Sequence, residues 1–398
     1  MPPARPPQPT DRVLIRCRSG RHQVALDPAR FWAPAGCPVC RTAVDPFRVR
    51  RAAAWLGGAG PRAGLALPAG IRVSPLELLG LAAIAGAGAL GLGLRTLGDA
   101  WWPATAVLFA GRWPWMVPAG FLLVLGLLLR QWRAAGLAAA ALATTLAFVM
   151  GATLGVGRWL GGGDPATRIR LITYNVDGRA MSLAGLMDLV ERYQPDVLAI
   201  QECGEAVIQA APLLTGYQFR RSSLCLLSRF PVDTMLVQPR RDIEQIGGSG
   251  QVIRYLISGP GGPFSLVNLH LETPRDGLEA LLGRSARAPD LIDEETTLRN
   301  IESGRARAWA DSAPPPLIVA GDFNTPKESV IFRRHWGDLT EAFDRAGFGF
   351  GHSKFTRLFG LRIDHVLVDD RWSVKRAEIL PDFGSDHRPM LVELELRR

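Results

Sequence analysis

Apolar residues fall into three regimes along this chain. Residues 1–73 are interrupted throughout by Pro and Arg and sustain no apolar period. Residues 74–160 hold uncharged apolar runs of helical length. After the Gly161-Gly162-Gly163 linker, within residues 161–167, short apolar or alternating runs recur between turn residues, which is the pattern of strands. Residues 168–175, 196–202, 223–228, 251–258, 264–271, 316–323, 362–369 and 389–396 read as strands, and residues 182–194 and 294–310 as helices. The expected organisation is therefore an N-terminal segment (1–73), a membrane region (74–160), a linker (161–167) and a strand-rich C-terminal block (168–398).

Residues 74–94 run about 20 positions with one early charge, Glu77, long enough to cross a bilayer. Ser74 with Glu77 three positions on forms a capping box, and Pro75 occupies the first helical position. Residues 113–129 and 134–157 are two further candidates, with Trp101, Trp102, Trp113, Trp115 and Trp132 placed as interfacial belts. Three spans are expected, and the small residues Gly80, Ala83, Ala87 and Gly91 favour close helix packing. Runs this long without charge seldom occur as buried helices of soluble bundles. No cleavable signal peptide is expected, because the first eleven residues have no apolar core.

Charge placement changes how the net +9 is read. Residues 1–74 carry 12 Arg against three Asp, whereas residues 164–398 carry 29 Lys and Arg against 32 acidic residues. The largest block is mildly acidic, so the broad positive footprint of a binder of long nucleic acid is missing from it. Arginine-rich segments stay in the cytoplasm, which puts the N-terminus and the Arg130/Arg133 loop inside. Three crossings then carry the C-terminal block to the outer side, making a multi-pass cell-membrane protein with the bilayer as its first partner.

Cys17, His22, Cys37 and Cys40 have the spacing C-x4-H-x14-C-x2-C, in outline a small zinc site that would stabilise a segment too short for its own core. Ordinary reduced thiols and a surface histidine are the alternative. Cys203 and Cys225 lie at strand-like positions and are expected to be free thiols.

Polar residues interrupt the strands mainly at their ends: Asn175 and Asp177, Glu202, His270, Asp322 and Asn324, Asp364, Asp386 and His387. Phosphoester hydrolysis needs a cation on the non-bridging oxygens, a group to orient or deprotonate water, and donors for the extra transition-state charge. Hard oxygen ligands such as Glu202 and Asp386 suit Mg²⁺ or Mn²⁺. Histidines beside carboxylates supply charge and proton transfer.

Six motifs in order resemble the endonuclease/exonuclease/phosphatase superfamily over about residues 168–398: Tyr174-Asn175-Val176-Asp177-Gly178, Gln201-Glu202, Asn268-Leu269-His270, Gly321-Asp322-Phe323-Asn324, Arg362-Ile363-Asp364-His365 and Ser385-Asp386-His387. The resemblance implies a four-layered α/β sandwich, two packed mixed sheets with outer helices, and Mg²⁺-dependent phosphoester hydrolysis. It makes Glu202 the principal metal ligand, with Asn175, Asp177 and Asp386 near the metal or phosphate. Asp322 polarises water, Asn324 holds phosphoryl oxygens, His387 paired with Asp364 stabilises charge or moves a proton, and His270 is a second catalytic histidine. Asn175-Val-Asp177-Gly resembles the apurinic-endonuclease branch, whereas His270 replaces that branch's tyrosine and resembles the deoxyribonuclease and sphingomyelinase branches. The stretch from His270 to Arg275 followed by a helix, with three spans before it, is similar to membrane-anchored bacterial members, some associated with glycopeptide resistance. That similarity implies a lipid-linked phosphate or pyrophosphate as substrate. An anchored nuclease, with Arg220, Arg221, Arg240 and Arg241 as its basic ridge, and a non-catalytic sensor or scaffold are the competing expectations.

Overall fold

A computed structural model describes residues 13–16, 23–26, 73–159, 162–178 and 180–397. The chain forms two compact units, Met1–Arg72 and Val73–Arg398. In the first, strands β1 (Val13–Arg16) and β2 (Gln23–Leu26) pair as an antiparallel ribbon. Cys17, His22, Cys37 and Cys40, the candidate zinc ligands, lie outside the described residues.

The second unit begins with α1 (Pro75–Leu97), whose capping box forms as expected: Ser74 Oγ accepts the Glu77 N–H at 3.2 Å and Glu77 Oε2 accepts the Ser74 N–H at 2.7 Å. Then come α2 (Trp102–Phe109), α3 (Val117–Leu128) and α4 (Trp132–Thr144), the last prolonged by a π-turn over Thr145–Val149. Two helices, Pro75–Leu97 and Trp132–Val149, are long and apolar enough to cross a membrane. The expected second span is not one straight helix. Residues Trp113–Met116 form a 3-10 turn and α3 itself has 12 residues, with Pro118 in its first turn, about 18 Å against the roughly 30 Å of a hydrocarbon core. With α2 it makes a pair bent by 85°, which counts as a third span only if the pair crosses as one. Gly80 and Gly91 permit close packing of α1: a Cβ on Gly80 would lie 2.9 Å from Leu137 Cβ, and one on Gly91 would strike the Phe148 ring.

The remainder is a sandwich. Its strands are β3 (Ile169–Asn175), β4 (Val197–Gln201), β5 (Gln218–Arg221), β6 (Cys225–Ser228), β7 (Val232–Val237), β8 (Gln251–Gly259), β9 (Gly262–His270), β10 (Leu317–Asp322), β11 (Thr340–Glu341), β12 (Lys354–Phe355), β13 (Gly360–Leu361), β14 (Asp364–Val368), β15 (Trp372–Ile379) and β16 (Met390–Leu396). One six-stranded sheet has the order β15-β16-β3-β4-β6-β5 and the other β11-β14-β10-β9-β8-β7, while β12 and β13 form a separate hairpin. Both large sheets are mixed, with β3 parallel to β4 and β9 parallel to β10.

Period-two alternation builds the layers. Ile169, Leu171, Val197 and Ala199 point to the inter-sheet core with Ile253, Tyr255, Ile318 and Ala320 from the other sheet. Ile172, Tyr174, Leu198 and Ile200 point outward onto α5 (Leu183–Tyr193), through Leu186, Leu189 and Val190. On the opposite face, Val267, Leu269 and Val319 pack under Ala306 and Ala310 of a long helix (Ala288–Asp311) and Trp336 of a short one. Helix, sheet, sheet and helix thus stack as the resemblance implied.

One expectation fails outright. Cys203 and Cys225 form a disulfide, with Cα atoms 5.8 Å apart. The antiparallel β4–β6 ladder sets Cys225 opposite Ile200, so the chain leaving β4 brings Cys203 back within bonding range. Their 22-residue separation hides this proximity in the sequence.

Candidate active site

Strand register assembles the site. The β3–β4 pairing places Asn175 beside Gln201 and hence Glu202. The β9–β10 pairing places His270 beside Asp322, and β10–β14 places Asp364 on the other side of Asp322. A buried amide bridge ties the two sheets together just behind these ends. Gln201 Nε2 donates to Asn268 Oδ1 at 2.7 Å, and Asn268 Nδ2 donates to the carbonyls of Ile200 and Cys225, each at 3.2 Å. Left-handed backbone marks the turns that follow: Asp177 has φ 44°, Glu202 φ 49° and Asn324 φ 48°. Such conformations are costly for non-glycine residues and concentrate at functional sites. At Gly321 (φ 145°) a Cβ would lie 2.0 Å from the Leu269 carbonyl oxygen, so only glycine lets β10 approach β9 there.

Asn175 spans the gap between sheets. Its Nδ2 donates to Glu202 Oε1 and to Asp322 Oδ2, both at 3.0 Å, while its Oδ1 accepts the Asp177 N–H at 3.0 Å. A flipped amide would turn its oxygen toward two carboxylates, so this orientation is fixed by its partners. His270 Nε2 stands 3.9 Å from Glu202 Oε1 and 3.7 Å from Asp322 Oδ2. His387 Nδ1 pairs with Asp364 Oδ2 at 2.8 Å, and its Nε2 faces Asp322 Oδ2 at 3.7 Å. Ser385 seats this loop by donating to the Asn175 carbonyl at 2.9 Å and accepting the His387 N–H at 3.1 Å.

The electrostatics divide these groups. Burial, helped by Asp364, raises the Asp322 carboxyl above its usual range, against the opposing pull of His387, His270 and the Asn175 bond. Asp364 goes the other way: burial alone would raise it, but the charge and hydrogen bond of His387 together with Ser353 hold it low. For His387 burial disfavours the cation, yet Asp364 and Asp322 hold its pKa up to about 9. Ligating atoms of Asp322, Asp364 and His387 all lie within 4.8 Å of one another, so this buried group could hold a metal ion.

Glu202, His270, Asp322, Asn324 and His387 open onto one cavity of about 610 Å³. The same cavity is lined by Ala106, Val107 and Phe109 of α2 and Ala110 just after it, by Arg275, Leu278, Glu279, Leu281 and Leu282 of the helix Arg275–Leu282, and by Lys354. The Endonuclease/Exonuclease/phosphatase family model matches residues 172–387, more than half of the sequence. The chain belongs to this family. Members are divalent-metal-dependent hydrolases, phosphatases and nucleases among them. Solved structures similar to it include a humanised zebrafish (D. rerio) TDP2, with 16% identity over 57% of this chain and 99% of that one at TM-score 0.46. A 3′ phosphatase, NExo, from Neisseria bound to product DNA hairpin has 17% identity over 58% and 100% at TM-score 0.45. An endonuclease/exonuclease/phosphatase protein from Beutenbergia cavernae has 17% identity over 58% and 72% at TM-score 0.44. No curated protein matches the sequence.

The structure gathers Asn175, Glu202, His270, Asp322, Asn324, Asp364 and His387 into one constellation. Asn324 donates its side-chain N–H to the Leu271 carbonyl and its backbone N–H to Asp322 Oδ1, each at 2.8 Å. Asp386 lies at the edge, ion-paired to Lys354 with its other oxygen 3.9 Å from His387 Nε2. Asp177 follows β3 and, among the described residues, its carboxylate joins none of the other site groups. Of the four arginines expected as a nucleic-acid ridge, none lines the cavity. Sequence reasoning missed Lys354, whose signal was only its bridge-forming neighbourhood, and the α2 wall, whose short apolar run resembles an incomplete span.

Proposed function

We propose that this protein is a membrane-anchored, divalent-metal-dependent phosphoester hydrolase whose catalytic sandwich lies outside the cytoplasm and acts on lipid-linked phosphate. The observation that carries the reading is the convergence of Glu202, His270, Asp322 and the Asp364-paired His387 on a cavity that is also lined by aliphatic side chains of α2 and the helix Arg275–Leu282. The Cys203–Cys225 disulfide supports an oxidising compartment for the sandwich, since disulfides are rare in the cytoplasm.

The donor set fits a hard cation. Glu202 presents a carboxylate 40% exposed toward the cavity, with Asn175 Nδ2 holding one oxygen in place. Asp364 Oδ2 and His387 Nδ1 already satisfy one another, so we assign that pair to orientation and charge, and assign Glu202, with Asp386 and Asp177 as outer candidates, to Mg²⁺ or Mn²⁺. A bound divalent ion supplies positive charge to the non-bridging phosphoryl oxygens. Asp322, with its raised pKa, accepts the proton of the attacking water; the new P–O bond forms as the ester P–O bond breaks. His387, protonated through neutral pH, donates its Nε2 proton toward the departing oxygen. Asn175 keeps the two carboxylates apart in fixed geometry. Asn324 has one amide hydrogen left for a phosphoryl oxygen, and His270 adds a donor between Glu202 and Asp322.

The test is full-length protein assayed on plasmid DNA, RNA, a phospholipid and a polyprenyl pyrophosphate, with Mg²⁺, Mn²⁺ or chelator. Metal-dependent turnover of a lipid substrate that is lost in Glu202→Gln is expected. Nucleic acid cleaved far faster than either lipid would overturn the substrate assignment. A reporter fused at the C-terminus, active only outside the cytoplasm, tests the orientation.

A further inference from the structure

The cavity brings carboxylates and imidazoles together with aliphatic side chains. Glu202, His270, Asp322 and His387 share its lining with Ala106 and Val107 of α2, Ala110 just after it, and Leu278, Leu281 and Leu282, while Arg275, Glu279 and Lys354 add charge. The aliphatic lining is built into the fold. Leu108 and Phe109 are buried with Leu94 and Val149, and Val107, Leu278 and Leu361 pack against that cluster. Two contacts pin α2 to the sandwich: Arg299 lies over the Phe109 ring at 4.9 Å, and Arg112 Nη1 meets Glu328 Oε2 at 2.9 Å, both charged groups being buried. A site for a small hydrophilic ester needs no such lining. Arg275 and Lys354 add cations to the lining and Phe109 and Phe359 add rings, but most of the remaining lining is aliphatic, which a nucleic-acid strand does not use.

We infer that α2 and the aliphatic side chains of the helix Arg275–Leu282 form a subsite for the hydrocarbon chain of the substrate, so that one amphiphile fills the cavity with its phosphate at Asp322 and its chain along α2. This inference rests on the proposed hydrolase reading and specifies its substrate class: a phosphoester or pyrophosphate carrying a long apolar chain. The volume of about 610 Å³ lies within the range that takes a ligand well beyond a phosphate group. Because α2 belongs to the bent helical pair next to the spans, a chain leaving the bilayer stays against apolar surface while its headgroup reaches the carboxylates, and exposes little hydrocarbon to water.

Two measurements on the full chain in lipid nanodiscs separate the two ideas. Binding is read with hexadecylphosphonate and methylphosphonate, subtracting partition into empty nanodiscs. The long-chain compound should bind at least about ten-fold tighter, the worth of only a few buried methylene groups. Leu282→Asp, at a side chain 84% exposed and so outside the folding core, should reduce that preference, and Ala106→Trp, which fills the groove, should abolish it. Equal affinities for the two phosphonates, or a preference untouched by both variants, would overturn the subsite. Turnover of hexadecyl and methyl 4-nitrophenyl phosphate with Mg²⁺ or Mn²⁺ tests the hydrolase reading separately. If neither ester is hydrolysed, that reading falls and the phosphonate arm still decides the subsite.

Discussion

Two clusters of buried charge lie in the unit Val73–Arg398, and they are tuned in opposite directions. In the first, Arg112 meets Glu328, and Arg362 meets Asp344 at 2.8 Å and Glu341 at 3.5 Å. Burial works against every ion there, but partners win: Arg112 and Lys327 hold the Glu328 carboxyl low, Arg362 and Lys327 hold Asp344 low, and Glu341 with Asp344 holds Arg362 high. Glu328, Asp344 and Arg362 are each pushed toward the charged form. In the second cluster burial and the neighbouring Asp364 push Asp322 toward its neutral form despite His387 and His270, while Asp364 and His387 satisfy each other. The first arrangement locks α2 and its flanks to the sandwich. The second leaves one acid out of balance, which is what a proton acceptor working near neutral pH requires.

Changing one member of each cluster should sharpen the contrast. Asp322→Asn should lower turnover by about 10²–10⁴-fold, the usual contribution of a positioned proton acceptor. Its melting temperature should hold or rise, because a buried carboxylate pushed toward neutrality is a burden on the fold. Arg112→Met should do the reverse, costing about 3–5 kcal/mol of stability by leaving Glu328 buried and unpaired. Urea unfolding measures it. If Asp322→Asn destabilises as much as Arg112→Met, the two clusters are not different in kind.

The disulfide lies next to the catalytic cluster but carries no charge. Replacing both Cys203 and Cys225 by Ala should cost about 3 kcal/mol, from the closure entropy of a loop of this size. Activity of the protein that remains folded should stay near the parent value, because Glu202 is held through Asn175 rather than through Cys203. A collapse of activity at temperatures where the variant is fully folded would make the bond part of the site's positioning.

How much of this was legible in the sequence follows from the physics of each element. All eight expected strands form, because long apolar or alternating runs leave few other ways to bury them. Among the strands that escaped notice are β5, β7 and β15: Gln218–Arg221 has two arginines, Val232–Val237 is mostly exposed, and Lys375 and Arg376 interrupt Trp372–Ile379. The site was legible as strand ends in family order, but the role of Asn175 was not. Only coordinates show its nitrogen, rather than its oxygen, turned to the carboxylates. The wall of the cavity was illegible for another reason. Hydropathy registers that residues 106–110 are apolar, and it carries no information about whether lipid, protein or a substrate chain covers them.

One histidine beside each cluster, His352 and His387, gives a test with two opposite signs. His352 stacks on Phe350, with ring centroids 5.3 Å apart, near Arg362 and Arg112. Burial and those two guanidinium groups lower its pKa from 6.5 to about 4. Between those values an unfolded chain binds a proton that the folded chain refuses, so stability is full above pH 6.5 and falls as pH drops toward 4. Allowing for its partial contact with solvent, the loss should reach about 2 kcal/mol. For His387 the sign inverts. Its folded pKa of about 9 lies above the unfolded value of 6.5, so the stability it contributes is complete below pH 6.5 and disappears as pH rises through 9. Urea midpoints measured in chelator from pH 4 to 10 should therefore bend at both ends. His352→Gln should flatten the acid limb alone and His387→Gln the alkaline limb alone. Should His352→Gln keep the full acid limb, the assignment of neutral character to the histidine beside the locking cluster would be wrong, and the contrast between the two clusters would rest on carboxylates only.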